Sequence, residues 1–170
     1  MGRETVSADS SVLIILAKSG NLGILPRVFD AIRVETAVER ECLVGIPQRT
    51  DARAIEAAFS AGLLTRATAD PSDLRTIAKR HPALGPGEIG AIALARKGIV
   101  LVDDGLARRV VRLEGGTPVG TLGLVARAHR LGALGSREEL AAMLRSILAA
   151  GLWVDASVME AFWAHIDDEG

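Results

Sequence analysis

Five carboxylates in this chain occupy positions where the surrounding pattern would bring them together. Asp9 ends the first β-like run, and Asp103 and Asp104 follow the clearest one. Glu88 opens an Ala/Ile-rich helical segment, and Glu41 lies inside another. Singly, each has an ordinary explanation. An acid at a helix start complements the helix dipole by about 0.3–1 kcal/mol. Asp9, ahead of Ser10, Ser11 and an apolar run, can be a plain N-cap. The adjacent pair is harder to explain, because a strand-end turn with a helix cap needs one acid and a second adds repulsion. Carboxylates facing one another at a sheet edge share a proton or hold a divalent cation. Hard oxygen ligands select Mg²⁺ or Mn²⁺ over zinc.

The elements that must position these side chains alternate between short β-like runs and helical ones. Residues 5–8 read as a strand and 10–18 as a buried helix closed by Gly20. Asn21 then caps a helix to about 29. Residues 31–34 are β-like and 36–43 helical. Thr50 or Asp51 caps a helix ended by Gly62, and 63–65 form a candidate strand. Ser72 opens a helix that stops before Pro82, and 87–97 form another, closed by Gly98. Residues 99–102 are the clearest strand, as apolar as a strand buried on both faces must be. A helix over 106–113, a strand over 117–119 and a helix over 122–131 follow. Strands alternating with helices imply a parallel sheet with right-handed crossovers, here five-stranded, with functional groups gathered at the carboxyl ends of the strands.

After Leu134 the pattern turns purely helical. Ser136 and Glu139 have the spacing of a capping box, and a last helix follows Asp155. The expected organisation is one domain over 1–134 with a helical extension over 135–170 packed on it. Trp153, Phe162 and Trp163 of the extension read as packing residues, or as anchors for a partner.

Composition excludes several classes. The chain has 170 residues, 20 Lys+Arg against 21 Asp+Glu, and 49% hydrophobic residues, the profile of a globular domain with a sizeable core. One cysteine, Cys42, leaves no internal disulfide and no Cys-based zinc site, and reads as a small core residue. The near-neutral balance leaves room only for a local basic patch, for which Lys18, Arg40, Arg108, Arg109 and Arg127 are the candidates. His81, His129 and His165 lack metal-ligand spacing. The most apolar run, 12–17, cannot cross a bilayer, which needs about 20 residues, and no signal-peptide stretch precedes Asp9, so a cytoplasmic location without a membrane partner is expected. Gly85–Gly90 fits G-x-G-x-x-G, but a helix end and a turn precede it rather than a strand, and Glu88 would oppose a pyrophosphate, so no dinucleotide site is expected. An aspartyl-phosphate phosphohydrolase would need a second acid at Ser11.

Taken in order, Asp9-Ser10-Ser11-Val12-Leu13-Ile14, Val38-Glu39-Arg40-Glu41, Gly87-Glu88-Ile89-Gly90-Ala91-Ile92-Ala93-Leu94-Ala95, Val100-Leu101-Val102-Asp103-Asp104-Gly105-Leu106-Ala107-Arg108-Arg109 and Val119-Gly120-Thr121-Leu122-Gly123-Leu124 resemble the successive motifs of PIN-domain proteins of the VapC toxin-like kind. The resemblance covers roughly residues 5–134. It implies a three-layer α/β/α sandwich and a Mg²⁺- or Mn²⁺-dependent endoribonuclease, the toxin of a toxin-antitoxin pair; a PIN-fold binding module without catalysis is the alternative. Metal-site roles are implied for Asp9, Glu41 and Glu88, with Asp103 or Asp104 as the fourth acid. Asp104 fits the common T-x-D form, and Asp103 fits relatives with an acid pair there. With the ion on Asp9, Glu88 and Asp103 or Asp104, Glu41 would bind a second ion or orient the attacking water. Thr121 either hydrogen-bonds near the site or caps its helix, the cap being favoured. The partners implied are RNA, a small antitoxin protein and a second copy of the chain. Two departures stand out. Relatives often have Pro where this chain has Glu35, and some have a second acid where it has Gly90; the first reads as a local turn change, the second as a sparser metal site.

Overall fold

In the computed structural model, residues 4–168 are described. Five parallel strands form one sheet: β1 (Thr5–Ala8), β2 (Ala31–Glu35), β3 (Thr65–Ala67), β4 (Ile99–Leu101) and β5 (Thr117–Val119), in the order β3-β2-β1-β4-β5. Val6, Ser7 and Ala8 of β1 and all three residues of β4 are buried, although neighbours along a strand point to opposite faces. Both faces are therefore covered, and the fold is the expected α/β sandwich. The one polar residue in this interior ladder, Ser7, donates its hydroxyl to the Ala91 carbonyl at 2.7 Å, which ties a covering helix to the sheet centre.

Helices α1 (Ser10–Lys18) and α2 (Leu25–Val28) link β1 to β2; α3 (Thr36–Leu43) and α4 (Thr50–Ser60) lead to β3; α5 (Pro71–Arg80) and α6 (Pro86–Ala95) lead to β4; α7 (Gly105–Leu113) leads to β5. Helices α8 (Thr121–Arg130), α9 (Arg137–Ala149) and α10 (Ala156–Asp168) complete the chain. The path from β3 to β4 passes over β2 and β1, so strand order reverses between β1 and β4. In parallel sheets that crevice is where ligands gather. Asp9 follows β1 and donates its N–H to the Leu101 carbonyl at 2.9 Å; Asp103 and Asp104 follow β4.

Several local expectations are corrected. Asn21 caps no long helix; a 3-10 turn (Leu22–Ile24) precedes the short α2. Its amide instead donates to the Ser19 carbonyl, the Ser19 hydroxyl and, at 2.8 Å, the Ser146 hydroxyl on α9. At α4 the N-cap is Arg49, and Asp51, inside the first turn, is ion-paired with its guanidinium. The third strand starts at Thr65 because Leu63 and Leu64 finish the α4 turn, both N–H groups reaching the Ala58 carbonyl. Asp70, rather than Ser72, caps α5. Ser136 caps α9 through the Glu139 N–H, but the Glu139 carboxylate accepts from Gly135 rather than from Ser136.

A single hydrophobic cluster runs from β1 into the last helices and includes Leu140, Leu144, Ile147, Phe162 and Ile166. Trp163 packs edge-on against Phe162, with Arg137 over its ring, whereas Trp153 is exposed. Cys42 is wholly buried, and burial pushes its thiol up to about 12. Among the described residues no single helix is long and apolar enough to cross a membrane.

Candidate metal centre

Asp9 is the innermost acid, 3% exposed. Its backbone is still extended (φ -83°, ψ 159°), so its side chain can turn back over the first turn of α1. Oδ2 accepts from the Ser11 N–H at 3.2 Å and the Ser11 hydroxyl at 2.7 Å. Oδ1 is buried with no partner. Burial raises the Asp9 pKa; the Ser11 hydrogen bonds oppose that rise and the charge of Glu41 adds to it.

Glu88 sits in the first turn of α6, and its Oε2 accepts from the Gly85 N–H at 2.8 Å. Burial raises its pKa too, the Gly85 hydrogen bond opposes it, and the charges of Asp9, Asp104 and Glu41 push further upward. Glu41, in the last turn of α3, bridges two elements: the Ser10 hydroxyl donates to Oε2 at 2.7 Å, and the Gly87 N–H donates to Oε1 at 2.9 Å. Gly87 permits this approach, since a Cβ there would fall 2.5 Å from the Glu41 carboxylate.

The two adjacent aspartates differ. Asp104 is the N-cap of α7, with Oδ1 accepting from the Ala107 N–H at 2.8 Å. Asp103 turns the other way. Its Oδ1 accepts from the Thr121 N–H at 2.7 Å and its Oδ2 from the Thr121 hydroxyl at 2.6 Å. The cap of α8 is thus supplied by the Asp103 carboxylate, and Thr121 is its donor rather than the capping side chain. Arg108 donates to the Val102 carbonyl at 3.3 Å beside it. Asp9, Glu88 and Asp104 each keep one oxygen without a hydrogen bond among the described residues, whereas Glu41 and Asp103 have both occupied.

As they stand, no three Asp, Glu, His or Cys side chains among the described residues lie close enough to hold one ion. The chemistry nonetheless fits a hard dication. The donors are all carboxylate, their charges act on one another, and the orphaned Asp9 Oδ1 lacks the partner that a buried oxygen requires.

Not every sequence candidate belongs here. Arg127 pairs with Glu4 at 2.6 Å and lies over the Phe29 ring, at the amino end of β1, and Lys18 ends α1. Arg40, next to Glu41 in sequence, and Arg109, on α7, are exposed. His81 bonds Glu114 at 2.8 Å on the opposite sheet edge. Gly85–Gly90 follows α5 and a turn, as expected of a segment that is no dinucleotide loop. The sequence reading missed Ser10, and it missed that Glu35 and Gly90 meet: a Cβ at Gly90 would fall 2.6 Å from Glu35 Oε2. The Gly-x-x-Gly spacing on α6 was the one signal for such close packing.

A five-stranded parallel sheet with acids at its switch point defines an α/β fold of the doubly wound kind. The DUF3368 PIN domain model matches residues 5–168, and the chain belongs to the PIN-domain family. The match runs on through α9 and α10, beyond the stretch that carries the sequence motifs. PIN domains are commonly nucleases. No curated protein sequence matches the chain.

Proposed function

We propose that this chain is a Mg²⁺- or Mn²⁺-dependent endoribonuclease and the toxin of a toxin-antitoxin pair, with a small antitoxin protein as its partner. The observation that carries the metal-dependent reading is the buried, unpartnered Oδ1 of Asp9 at the β1–β4 crevice. The toxin assignment is supported by the motif resemblance.

Asp9, Glu88 and Asp104 would hold the ion, each through the oxygen it keeps free. A bound dication supplies a Lewis acid for the phosphodiester and acidifies water for in-line attack. Glu41 draws Ser10 of α1 to Gly87 of α6, and so sets the distance between Asp9 and Glu88. Asp103 anchors the β4–α7 turn to Thr121 and aims Asp104 at the crevice. Arg40, Arg108 and Arg109 offset the repulsion between this edge and an RNA backbone.

The test is cleavage of single-stranded and structured RNA with Mn²⁺ or Mg²⁺, comparing wild type with Asp9→Asn. Metal-dependent products with 5′-phosphate and 3′-hydroxyl ends are expected from wild type only; equal cleavage by both proteins removes the assignment. The second reading, a binding module without catalysis, is favoured by the acids' engagement with helix ends. It is selected if wild type binds RNA but neither cleaves it nor gains thermal stability from Mn²⁺.

A further inference from the structure

Glu35 is a poor choice for each of its evident structural tasks. It ends β2 and caps α3, its Oε2 accepting from the Ala37 N–H at 2.6 Å, where Asn, Asp, Ser or Thr caps a helix better. It is 4% exposed, and that hydrogen bond is the one its carboxylate makes among the described residues. An apolar side chain would fill this volume without the cost of burying a charge. Yet α6 is built to receive it. A Cβ at Gly90 would lie 2.6 Å from Oε2 and 3.1 Å from Cδ and Cγ, so a side chain at position 90 would have to displace the Glu35 carboxylate. One turn earlier, Gly87 receives the Glu41 carboxylate in the same manner. The segment β2–α3 therefore grips α6 at two successive glycines, and the acid between them in sequence is Glu88.

We propose that Glu35 is a positioning residue for the acid cluster, a reading that rests on the metal-dependent function above. From the strand end it fixes α6, and through α6 the carboxylate of Glu88. A side chain grown from position 90 would enter the volume that the Glu35 carboxylate fills, so one buried acid can be supplied from either position. The two departures from the family pattern, Glu35 and Gly90, are then a single exchange.

The experiment is Mn²⁺ titration of the full chain without RNA, by calorimetry, alongside thermal unfolding. The proteins are wild type, Glu35→Gln, Glu35→Ala, Gly90→Glu and the double variant Glu35→Ala/Gly90→Glu. Glu35→Gln, which keeps the cap and the volume against Gly90, retains Mn²⁺ affinity, whereas Glu35→Ala weakens it by about tenfold, in the range for residues that orient ligands. Gly90→Glu alone lowers Tm most, and adding Glu35→Ala restores both Tm and Mn²⁺ affinity. Wild-type affinity in a folded Glu35→Ala overturns the positioning role. Additive Tm losses in the double variant overturn the exchange whether or not metal binds. Failure of wild type itself to bind Mn²⁺ removes the metal-dependent function and the positioning role with it, leaving the exchange to the thermal data.

Discussion

The two edges of one sheet treat charge in opposite ways. At the amino ends of β4 and β5, acids are matched. Glu114 takes Arg80 at 3.1 Å and His81 at 2.8 Å, and Asp73 lies 3.6 Å from Arg96. A cavity of about 490 Å³ opens here among these pairs. At the carboxyl ends, the charges of Asp9, Asp104 and Glu41 act against Glu88 and that of Glu41 against Asp9, and no basic side chain forms an ion pair with any of the four among the described residues. A fold that pairs its charges at one edge and leaves them opposed at the other stores electrostatic free energy where a cation can release it. The chemistry is thus indicated by unbalanced charge rather than by this cavity.

The contrast is broken most directly by activity. Glu88→Gln should lower metal-dependent cleavage by about a hundredfold or more, since even groups that only orient metal ligands contribute 10–100-fold. Glu114→Gln on the paired edge should leave cleavage unchanged and cost about 1 kcal/mol of stability, since the Arg80 side of the pair is exposed and the His81 side half-buried. Equal losses would erase the distinction. A second test lies within the acidic edge. Asp104→Asn should lose cleavage by about a hundredfold with a small change in Tm. Asp103→Asn should act chiefly on stability, by about 1.5–3 kcal/mol for its charge-assisted bonds to Thr121. Calorimetry and cleavage on the same preparations separate the two outcomes.

Protons should move the edges in opposite directions. Asp9 and Glu88 have folded-state pKa values raised above 3.8 and 4.5, so the folded chain binds protons more tightly there. Their penalty is absent at low pH and grows as pH rises through the raised values. Glu114 is held below 4.5, first by its hydrogen bond to His81, and its contribution is lost as pH falls through that lowered value. Asp9 and Glu88 should therefore make metal-free Tm rise as pH falls through their raised values, before the Glu114 contribution is lost. Asp9→Asn should flatten this rise, and Mn²⁺ should reverse it. The smallest effect concerns the rim: Arg40→Ala should reduce the salt dependence of single-stranded RNA binding by about 0.7 in log–log slope, one phosphate contact.

Much of this was legible in the residues. The bounds of β1, α1, α3 and β5 agree with their apolar runs and turn residues, and in β1 burial on both faces leaves little freedom in composition. The errors have local causes. Leu63 and Leu64 look like a strand but are the buried end of a helix turn, and β3 begins only where Thr65 meets Arg33 of β2. Asn21 has the chemistry of a cap, and its donors went to Ser19 and, far along the chain, to Ser146. Arg127 stands near a motif in sequence but lies beside Glu4 at the far edge, because α8 carries it away from the acids.

The residue pattern by itself determined the alternation of elements, the five-stranded parallel sheet and the carboxylates at its functional edge. Those follow from burial and backbone geometry, which act over a few residues at a time. Only tertiary structure separated Asp103 from Asp104, turning one to Thr121 and leaving the other to cap α7, and only it brought Glu35 against Gly90 and Glu41 against Gly87. Those relations depend on which backbone lies within 3 Å of a side chain after the helices have packed, and no local pattern carries that information.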